Sequence, residues 1–472
     1  MSAGYEDVMI GLEIHVRLKT NTKLFCSCPN VEADEPNTNV CPICMGFPGT
    51  KPSLNGKALE LAALAALALN CTINKVIAFS RKVYFYPDLP KDFQITQYEL
   101  PVGVEGSVLL NKSNKRIGIS RVHVEEDPAR LTHVGGDITN AEYALVDYNR
   151  SGMPLIEIVT KPEIGSPEEA RDTVATIVTM LDHLGVCDPT AEGAVRVDAN
   201  ISLRGGKRTE IKNITGFANV ERALMFEIVR QRQLKAQNIA VEQETRHFDE
   251  IKKTTVSLRA KETEEDYGYI FEPDLTSYEI SDEFIKGLEP RLSELPVKRI
   301  ARFVNNFGID ENFAKIIVYE GKAFADFFVA CAAKFNDYAL LAKWSVGDLL
   351  KCLNYNKVDI AHSKVAPESY IEFMQLIKSG EITERYGKEL IKEFVATGRD
   401  PKELVKEGAQ APRPKLEEAV EQVIKEEVQA IKDYKSGNTK AIAYLIGCVL
   451  KKTGNTADPK KIKALLDARV AQ

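Results

Sequence analysis

Long hydrophobic runs are missing from this sequence: no apolar stretch approaches the roughly 20 residues that a membrane span needs. The N-terminal MSAGYEDV carries no charged-then-apolar leader either. These two absences predict a cytoplasmic chain that makes no use of a membrane. A positive charge excess is also lacking, with 62 Lys and Arg against 68 Asp and Glu and a formal net charge of −6, which argues against a wholesale nucleic-acid binder but averages over local patches. Cysteine is sparse and uneven. Of nine cysteines, four crowd between Cys26 and Cys44, while Cys71, Cys187, Cys331, Cys352 and Cys448 are scattered. An odd, dispersed set predicts reduced thiols and excludes a disulfide framework. No Walker A loop is present: GFPGTKPS, Gly46 to Ser53, has a Thr-Lys pair but the wrong glycine spacing and a proline where a helix would start. Any use of ATP must rest on something other than a P-loop. What remains is an ordinary globular composition, 44% hydrophobic and 28% charged over 472 residues, long enough for about three domains.

The stretch Met9 to Lys19, MIGLEIHVRLK, alternates. As a strand it puts Ile10, Leu12, Ile14, Val16 and Leu18 on one face and Glu13, His15 and Arg17 on the other. The same pattern returns in SRVHVEE, where Arg121, His123 and Glu125 oppose Val122 and Val124, and in PLIEIVT around Glu157. It returns again in VRVDANISLR, with Arg196, Asp198, Asn200 and Ser202 on one face, and in TEIKN, with Glu210 and Lys212. Strand propensity disfavours Asp and Asn, so their presence inside strands marks a face kept for chemistry. Clustered oxygen ligands with an imidazole suit Mg²⁺, which usually arrives with nucleotide phosphates. Lys91, Arg121, Arg196, Arg204 and Lys212 would supply positive charge for a phosphoryl group. Tyr84 and Tyr86, in SRKVYFYPDLPKDFQITQYEL, are compatible equally with a pocket wall and with aromatic packing.

Between the first two strands lies FCSCPNVEADEPNTNVCPICMGFPGT, a loop rich in Pro, Asn and Gly. Cys26-x-Cys28 and Cys41-x-x-Cys44 supply four thiolates in two close pairs, the number a tetrahedral structural Zn²⁺ site requires. Four protein ligands leave no open position, so this zinc would staple the loop rather than catalyse. KALELAALAALALN, Lys57 to Asn70, is an Ala/Leu helix that must be covered on most sides. Ser166-Pro167-Glu168-Glu169 starts a helix to about Leu184, and a second helix is predicted from about Asn219 to Gln237. Strands and covering helices without strict βαβ alternation predict an α+β domain with a mostly antiparallel sheet. The segment Tyr267 to Leu275 holds Glu272-Pro273-Asp274, placed to close a site.

Helical periodicity takes over from about Leu292, and KEGAQAPRPK, Lys406 to Lys415, reads as a linker. A charged helix is predicted over Leu416 to Ser436. From Ile431 to Gln472 nine Lys/Arg stand against three Asp, a local balance of +6, compatible with binding an RNA backbone and with a solvated helical face alike. Lys440, Lys451 and Lys452 are the candidate contacts.

Read in order, IGLEIHVRLKT, EPNTNVCPICMGFPGTKP, YFYPDLPKDFQITQYE, RIGISRVHVEEDPARLTH, DYNRSGMPLIEIVTKP, RVDANISLR, QETRHFD and GNTKAIAYLIGCVLKKT closely resemble the B-subunit family of tRNA-dependent amidotransferases, GatB. The related archaeal E subunits carry an inserted domain, whereas here EPDL passes straight into the helical region, which favours the B subunit. The resemblance implies a catalytic cradle over 1–290, with antiparallel-sheet fold similar to glutamine synthetase and the zinc loop inserted at 25–50. It further implies an all-helical domain over 291–405 and a YqeY-like tRNA-binding tail over 406–472. It implies that ATP phosphorylates the side-chain carboxylate of Asp or Glu misacylated on tRNA(Asn) or tRNA(Gln), and that ammonia then displaces phosphate. Glu13, His15, Glu125, Glu157 and Asp198 match the motifs of the Mg²⁺ and acyl-phosphate site, with Glu126 the alternative to Glu125. Lys91, Arg121, Arg196, Arg204, Lys212, Tyr84 and Tyr86 fall to ATP and substrate. The sequence shows no Ser-Ser-Lys amidase signature; the resemblance implies a separate amidase, the A subunit, that hydrolyses glutamine, together with a small C subunit and a channel for ammonia. Zinc follows from the cysteine spacing and not from the resemblance. Two other classes fit the same residues: a metal-dependent phosphohydrolase or nuclease, and a non-catalytic, zinc-stapled tRNA-binding scaffold.

Overall fold

The computed structural model describes residues 4–135, 141–260, 268–410, 416–435, 439–453 and 457–470. Tyr267 of the segment expected to close the site, residues 411–415 of the expected linker and Ser436 of the charged helix lie outside the described residues. The chain divides into two compact units, Met1–Lys298 and Arg299–Gln472.

The first unit contains sixteen described strands: β1 (Val8–Arg17), β2 (Thr72–Ile73), β3 (Val76–Ile77), β4 (Ser80–Val83), β5 (Phe93–Thr96), β6 (Gly103–Leu109), β7 (Arg116–Glu126), β8 (Arg130–Val134), β9 (Tyr143–Asp147), β10 (Pro154–Thr160), β11 (Val195–Leu203), β12 (Thr209–Ile214), β13 (Glu244–Asp249), β14 (Thr254–Ala260), β15 (Gly268–Phe271) and β16 (Tyr278–Glu279). Nine of them form one sheet in the order β14-β13-β12-β11-β1-β10-β7-β6-β2, so the opening strand sits at its centre. Every pairing in it is antiparallel except β12 with β13. A smaller sheet runs β15-β4-β5, and β16-β3 and β8-β9 are two-stranded ribbons.

The aliphatic face of the large sheet is covered by α1 (Gly56–Ala68), α2 (Pro167–His183) and α3 (Phe217–Ala236); α4 (Asp282–Leu288) follows near the end of the unit. Ile10, Leu12, Ile14 and Val16 of β1 join Val122 and Val124 of β7, Ile156 and Ile158 of β10, and Val197, Ala199 and Ile201 of β11 in one core. Ala62, Ala63, Ala65 and Ala66 let α1 lie close against it, each fully buried. Ser166 caps α2 by accepting from Glu169 N, with Pro167 in the first turn. On α3 the fully buried Glu227 carboxylate accepts from Arg230 Nε and Nη2 at 2.9 and 2.6 Å, from Gln231 Nε2 at 2.9 Å and from Thr255 Oγ1 at 3.1 Å, which ties the helix to β14.

The second unit is helical: α5 (Pro296–Phe307), α6 (Glu311–Tyr319), α7 (Lys322–Ala332), α8 (Tyr338–Trp344), α9 (Leu350–Asn356), α10 (Pro367–Lys378), α11 (Glu384–Thr397), α12 (Pro401–Gln410), α13 (Leu416–Glu426), α14 (Val428–Lys435), α15 (Thr439–Lys452) and α16 (Pro459–Val470). It has two cores, one around Trp344, Tyr370, Phe373 and Phe394, the other around Val420, Val423, Leu445, Val449, Ile462 and Leu466. Two expectations change here. Lys406 to Gln410 is helical, the end of α12, because no proline intervenes before Pro412. The helix expected over Leu416 to Ser436 is two, with Glu427 at the junction, where its carboxylate accepts from Tyr444 Oη at 3.2 Å.

Because Ile14 lies fully buried on the central strand, Ile14→Ala is expected to cost about 2–5 kcal/mol through lost burial and the cavity left behind. Thermal unfolding followed by circular dichroism checks this; an unchanged midpoint would show that β1 is not the centre of the core.

Candidate active site

Strand register decides what converges. His15 pairs with Glu157 of β10 on one side and with Arg196 of β11 on the other, and Glu13 pairs with Asp198. Glu157 in turn pairs with His123 of β7. Asn200 pairs with Glu210 of β12, Glu210 with Thr245 of β13, and Lys212 with His247. Since side chains alternate, one continuous face carries Arg121, His123 and Glu125, then Glu157, then Glu13 and His15, then Arg196, Asp198 and Asn200, then Glu210 and Lys212.

Within this face two groups form. In the first, His15 Nε2 stands 3.5 Å from Glu125 Oε1 and 3.5 Å from Glu157 Oε2, and His123 Nε2 stands 3.3 Å from Glu157 Oε2. His15, Glu125 and Glu157 each offer a ligand atom within 4.8 Å of the others, a spacing that suits one cation. In the second, Glu13, Asp198 and Glu210 converge in the same way, but Lys212 Nζ already lies among them, 2.9 Å from Asp198 Oδ2 and 3.3 Å from Glu210 Oε1. Asp198 Oδ1 also accepts from Asn213 N at 2.7 Å, and Glu13 Oε1 from Asn200 Nδ2 at 2.9 Å. The second group is thus neutralised from within, while the first keeps its carboxylates on imidazoles.

Electrostatics follow the geometry. Burial pushes His15 down, but its hydrogen bond to Glu157 and the charges of Glu157, Glu125 and Asp198 outweigh that and lift it to about 9. Burial raises Glu157, yet His123 and His15 hold it well below the usual carboxylate range. Burial, with the charges of Glu157 and Asp198, raises Glu13. For Asp198 burial again acts upward and is overcome by Lys212, His15 and the Asn213 amide.

The remaining expected residues divide. Glu125 faces His15, whereas Glu126 turns the other way, accepting from Ile95 N at 2.9 Å and pairing with Lys91. Arg196 donates to the buried Asp127 at 2.6 Å while its charge also reaches Asp198 and Glu125. Arg121 lies one step along from His123 on the same face and reaches Tyr98 O at 3.4 Å. Tyr84 and Tyr86 follow β4, with Lys82 Nζ 5.7 Å from the Tyr84 ring centre and Tyr86 exposed. Arg204 is not brought to the group: it lies exposed beyond β11, six residues from Asp198, about 20 Å along an extended strand. In the second unit Lys440 and Lys451 are exposed on α15, and Lys452 is held 2.9 Å from Glu426.

The four cysteines converge, with one sulfur of each within 4.8 Å of the others. Cys41 and Cys44 sulfurs are 3.8 Å apart, close to the sulfur separation of about 3.8 Å that a tetrahedron with 2.3 Å zinc–sulfur bonds requires. Hydrogen bonding from Cys26 and the Lys23 charge lower Cys44 to about 5, while burial and the Cys41 hydrogen bond push Cys28 up to about 11. The residues therefore fit a zinc ion. Beside them opens a cavity of about 210 Å³ lined by Cys26, Cys44, Gly46, Lys91, Glu126, Arg81, Glu272 and Asp274. Arg81 grips Glu272 through two 2.8 Å bonds and stands 3.5 Å from Asp274, so the Glu-Pro-Asp segment forms part of its wall.

His123, Asp127, Asn200 and Glu210 take part in these contacts but fall outside the set implied by the resemblance. Strand parity marks His123, Asn200 and Glu210 from sequence alone; nothing local marks Asp127, whose partners Arg150 and Arg196 come from distant segments.

A family model described as the GatB/GatE catalytic domain matches residues 8–286, and one described as the GatB domain matches residues 326–470. The Saccharolobus solfataricus protein named as the B subunit of aspartyl/glutamyl-tRNA(Asn/Gln) amidotransferase is 42% identical over 462 residues, 96% of this chain and 97% of its own length. Proteins of the same name from Methanoregula boonei and Carboxydothermus hydrogenoformans are 43% and 38% identical, covering 98% and 99% of this chain and 98% and 99% of their own. A carboxylate and imidazole face on a central antiparallel sheet, followed by a helical unit and matched over nearly the whole length, means that this chain belongs to the GatB family of amidotransferase B subunits.

Proposed function

We propose that the chain phosphorylates the side-chain carboxylate of Asp-tRNA(Asn), Glu-tRNA(Gln) or both, with ATP and Mg²⁺, and that ammonia then displaces phosphate to give Asn-tRNA(Asn) or Gln-tRNA(Gln). The convergence of His15, Glu125 and Glu157 beside Glu13, Asp198 and Lys212 carries the reading. A carboxylate is a poor electrophile and an acyl phosphate a good one, so the chemistry needs positioning and charge neutralisation more than a nucleophile from the protein. Mg²⁺, when bound, neutralises phosphate oxygens and orients the transferred group. His15, Glu125 and Glu157 would hold it; His123 fixes Glu157 from behind. Lys212 keeps the neighbouring acids compatible with an incoming polyphosphate, and Arg196 and Arg121 add positive charge along the same face.

Ammonia is read as arriving through the cavity beside the cysteines, whose wall of alternating charges, Lys91 with Glu126 and Arg81 with Glu272 and Asp274, favours a small polar guest. The chain carries no glutaminase signature, which supports assembly with an amidase (the A subunit) and a small C subunit. Cys26, Cys28, Cys41 and Cys44 are read as a structural Zn²⁺ centre, and the helical tail, with Lys440, Lys451 and Lys452, as a tRNA contact. No helix of the described residues is long and apolar enough to cross a membrane.

In the reconstituted complex, Glu13→Ala or His15→Ala is expected to lower ATP-dependent transamidation by at least about a hundredfold while leaving glutamine hydrolysis in place. Transamidation retained in both variants, or phosphate release independent of misacylated tRNA, would refute the reading. A pH dependence follows as well. In the metal-free site His15 is protonated up to about 9, so below that pH Mg²⁺ must displace a proton. Its apparent affinity, measured by titration calorimetry, is expected to rise with pH by up to about tenfold per unit and to level off above the His15 value; His15→Asn should remove the slope. Deleting residues 408–472 is expected to weaken tRNA binding and flatten its salt dependence; an unchanged dissociation constant at fixed salt would rule out the tail.

A further inference from the structure

Lys23 is a fully buried lysine, among the largest side chains with no exposure. Its Nζ donates to Asn39 O at 2.8 Å and stands 3.9 Å from Cys44 Sγ. Among the described residues no carboxylate forms an ion pair with it: the nearby Glu126 is claimed by Lys91 and by the Ile95 amide. A buried ammonium without a carboxylate partner is costly, so its counter-charge must lie in the sulfur cluster. The cluster needs such a charge. Four thiolates around one zinc ion carry a net charge of about −2, which burial penalises as strongly as it penalises the ammonium.

The placement is specific. Cys26, Cys28 and Cys41 are half-buried, within reach of water, whereas Cys44 is buried and must take its hydrogen bonds from the protein. Cys41 N donates to its sulfur at 3.1 Å, and Lys23 is the cation that faces it. Lys23 also joins the two halves of the site. Its backbone N donates to Cys28 O at 2.8 Å in the first cysteine pair, while its side chain reaches Asn39 and Cys44 at the second. Gly152 lies against both groups: a Cβ there would stand 3.4 Å from Cys44 Cβ and 3.7 Å from Lys23 Cδ, so backbone packs directly over the lysine stem and the cysteine.

We propose that Lys23 is the built-in counter-charge of the four-cysteine zinc centre, a positioning residue that donates N–H to the Cys44 sulfur and halves the buried charge of the metal complex. This rests on reading the four cysteines as a zinc centre, and the experiment separates the two. Zinc content of the full-length wild-type protein is measured after dialysis, its affinity by competition with a chromophoric chelator, and its sulfur environment from the charge-transfer bands of the Co²⁺-substituted protein. Lys23→Met is expected to weaken zinc binding about 10–100-fold, the usual effect of losing an outer partner of a metal ligand. It should also move the cobalt–thiolate band to lower energy, since a thiolate without its N–H donor is easier to oxidise. On a Cys44→His background, where the centre carries one negative charge fewer and the sulfur facing Lys23 is gone, the same substitution should have little effect. Wild-type protein that holds neither zinc nor cobalt overturns the zinc centre and the proposal with it. A loaded wild type with an unchanged affinity and spectrum in Lys23→Met overturns the counter-charge alone. If Lys23→Met does not fold, the Lys23→Met/Cys44→His protein is expected to fold and bind zinc; its failure where Cys44→His succeeds would also overturn the proposal.

Discussion

Carboxylates crowded on a half-buried sheet face are tolerable only where cations are interleaved with them, and that constraint runs through the whole catalytic unit. Glu157 sits between His15 and His123, Asp198 against Lys212, Asp127 between Arg196 and Arg150, and Glu126 against Lys91. Removing one partner from such a pair strands a charge in low dielectric, so each cation is supplied by the protein, from a neighbouring strand or, for Lys91 and Arg150, from a connecting segment. The balance is nevertheless incomplete. Around the junction of β1, β10 and β11, Glu13, Glu125, Glu157, Asp198 and Glu210 face one lysine, two imidazoles and an arginine, Arg196, whose hydrogen bond goes to Asp127. Glu13 registers the shortfall in its raised pKa, caused by burial together with Glu157 and Asp198. That shortfall, with the donor atoms of His15, Glu125 and Glu157 already converged, is what the proposed Mg²⁺ would offset.

Much of this face was legible because a strand has a period of two. Once Val122 and Val124 are assigned to the core, parity alone puts His123 and Glu125 on the chemical face and Glu126 off it, and the contacts of Glu125 with His15 and of Glu126 with Lys91 follow that assignment. Parity works equally for Glu210 and Lys212 around Ile211. It says nothing about which strands are neighbours, so the division into a His15 group and a Lys212 group depended on the sheet order, which places β1 between β10 and β11. Arg204 shows the limit: it continues the alternation of β11 by count, but the strand ends at Leu203 and the arginine turns outward. Partners separated by many residues, such as Lys91 with Glu126 or Arg81 with Glu272, leave no local trace, because neither residue's strand pattern refers to the other.

The cysteine loop illustrates a different kind of illegibility. Its spacing brings four thiols together, yet does not say where on the sheet the cluster sits. Asn37 and Asn39 tie the loop to Val146, Asp147, Tyr148 and Asn149 through bonds of 2.7 to 3.1 Å. Two glycines then let it close on the sheet. Gly46 has φ +68°, and a Cβ there would come within 2.3 Å of Lys91 Cγ; Gly152 is called for by its backbone, at φ +82°, where it passes Cys44. The lysine that pairs with Glu126 therefore leans on the loop that the cysteines hold. A metal that only stapled a distant loop would be separable from the chemistry of the sheet. Here the cysteine loop and Glu126, the immediate neighbour of Glu125, line one cavity, so the position of the loop and the charge balance beside the proposed phosphoryl-transfer face share the contact of Lys91 with Glu126.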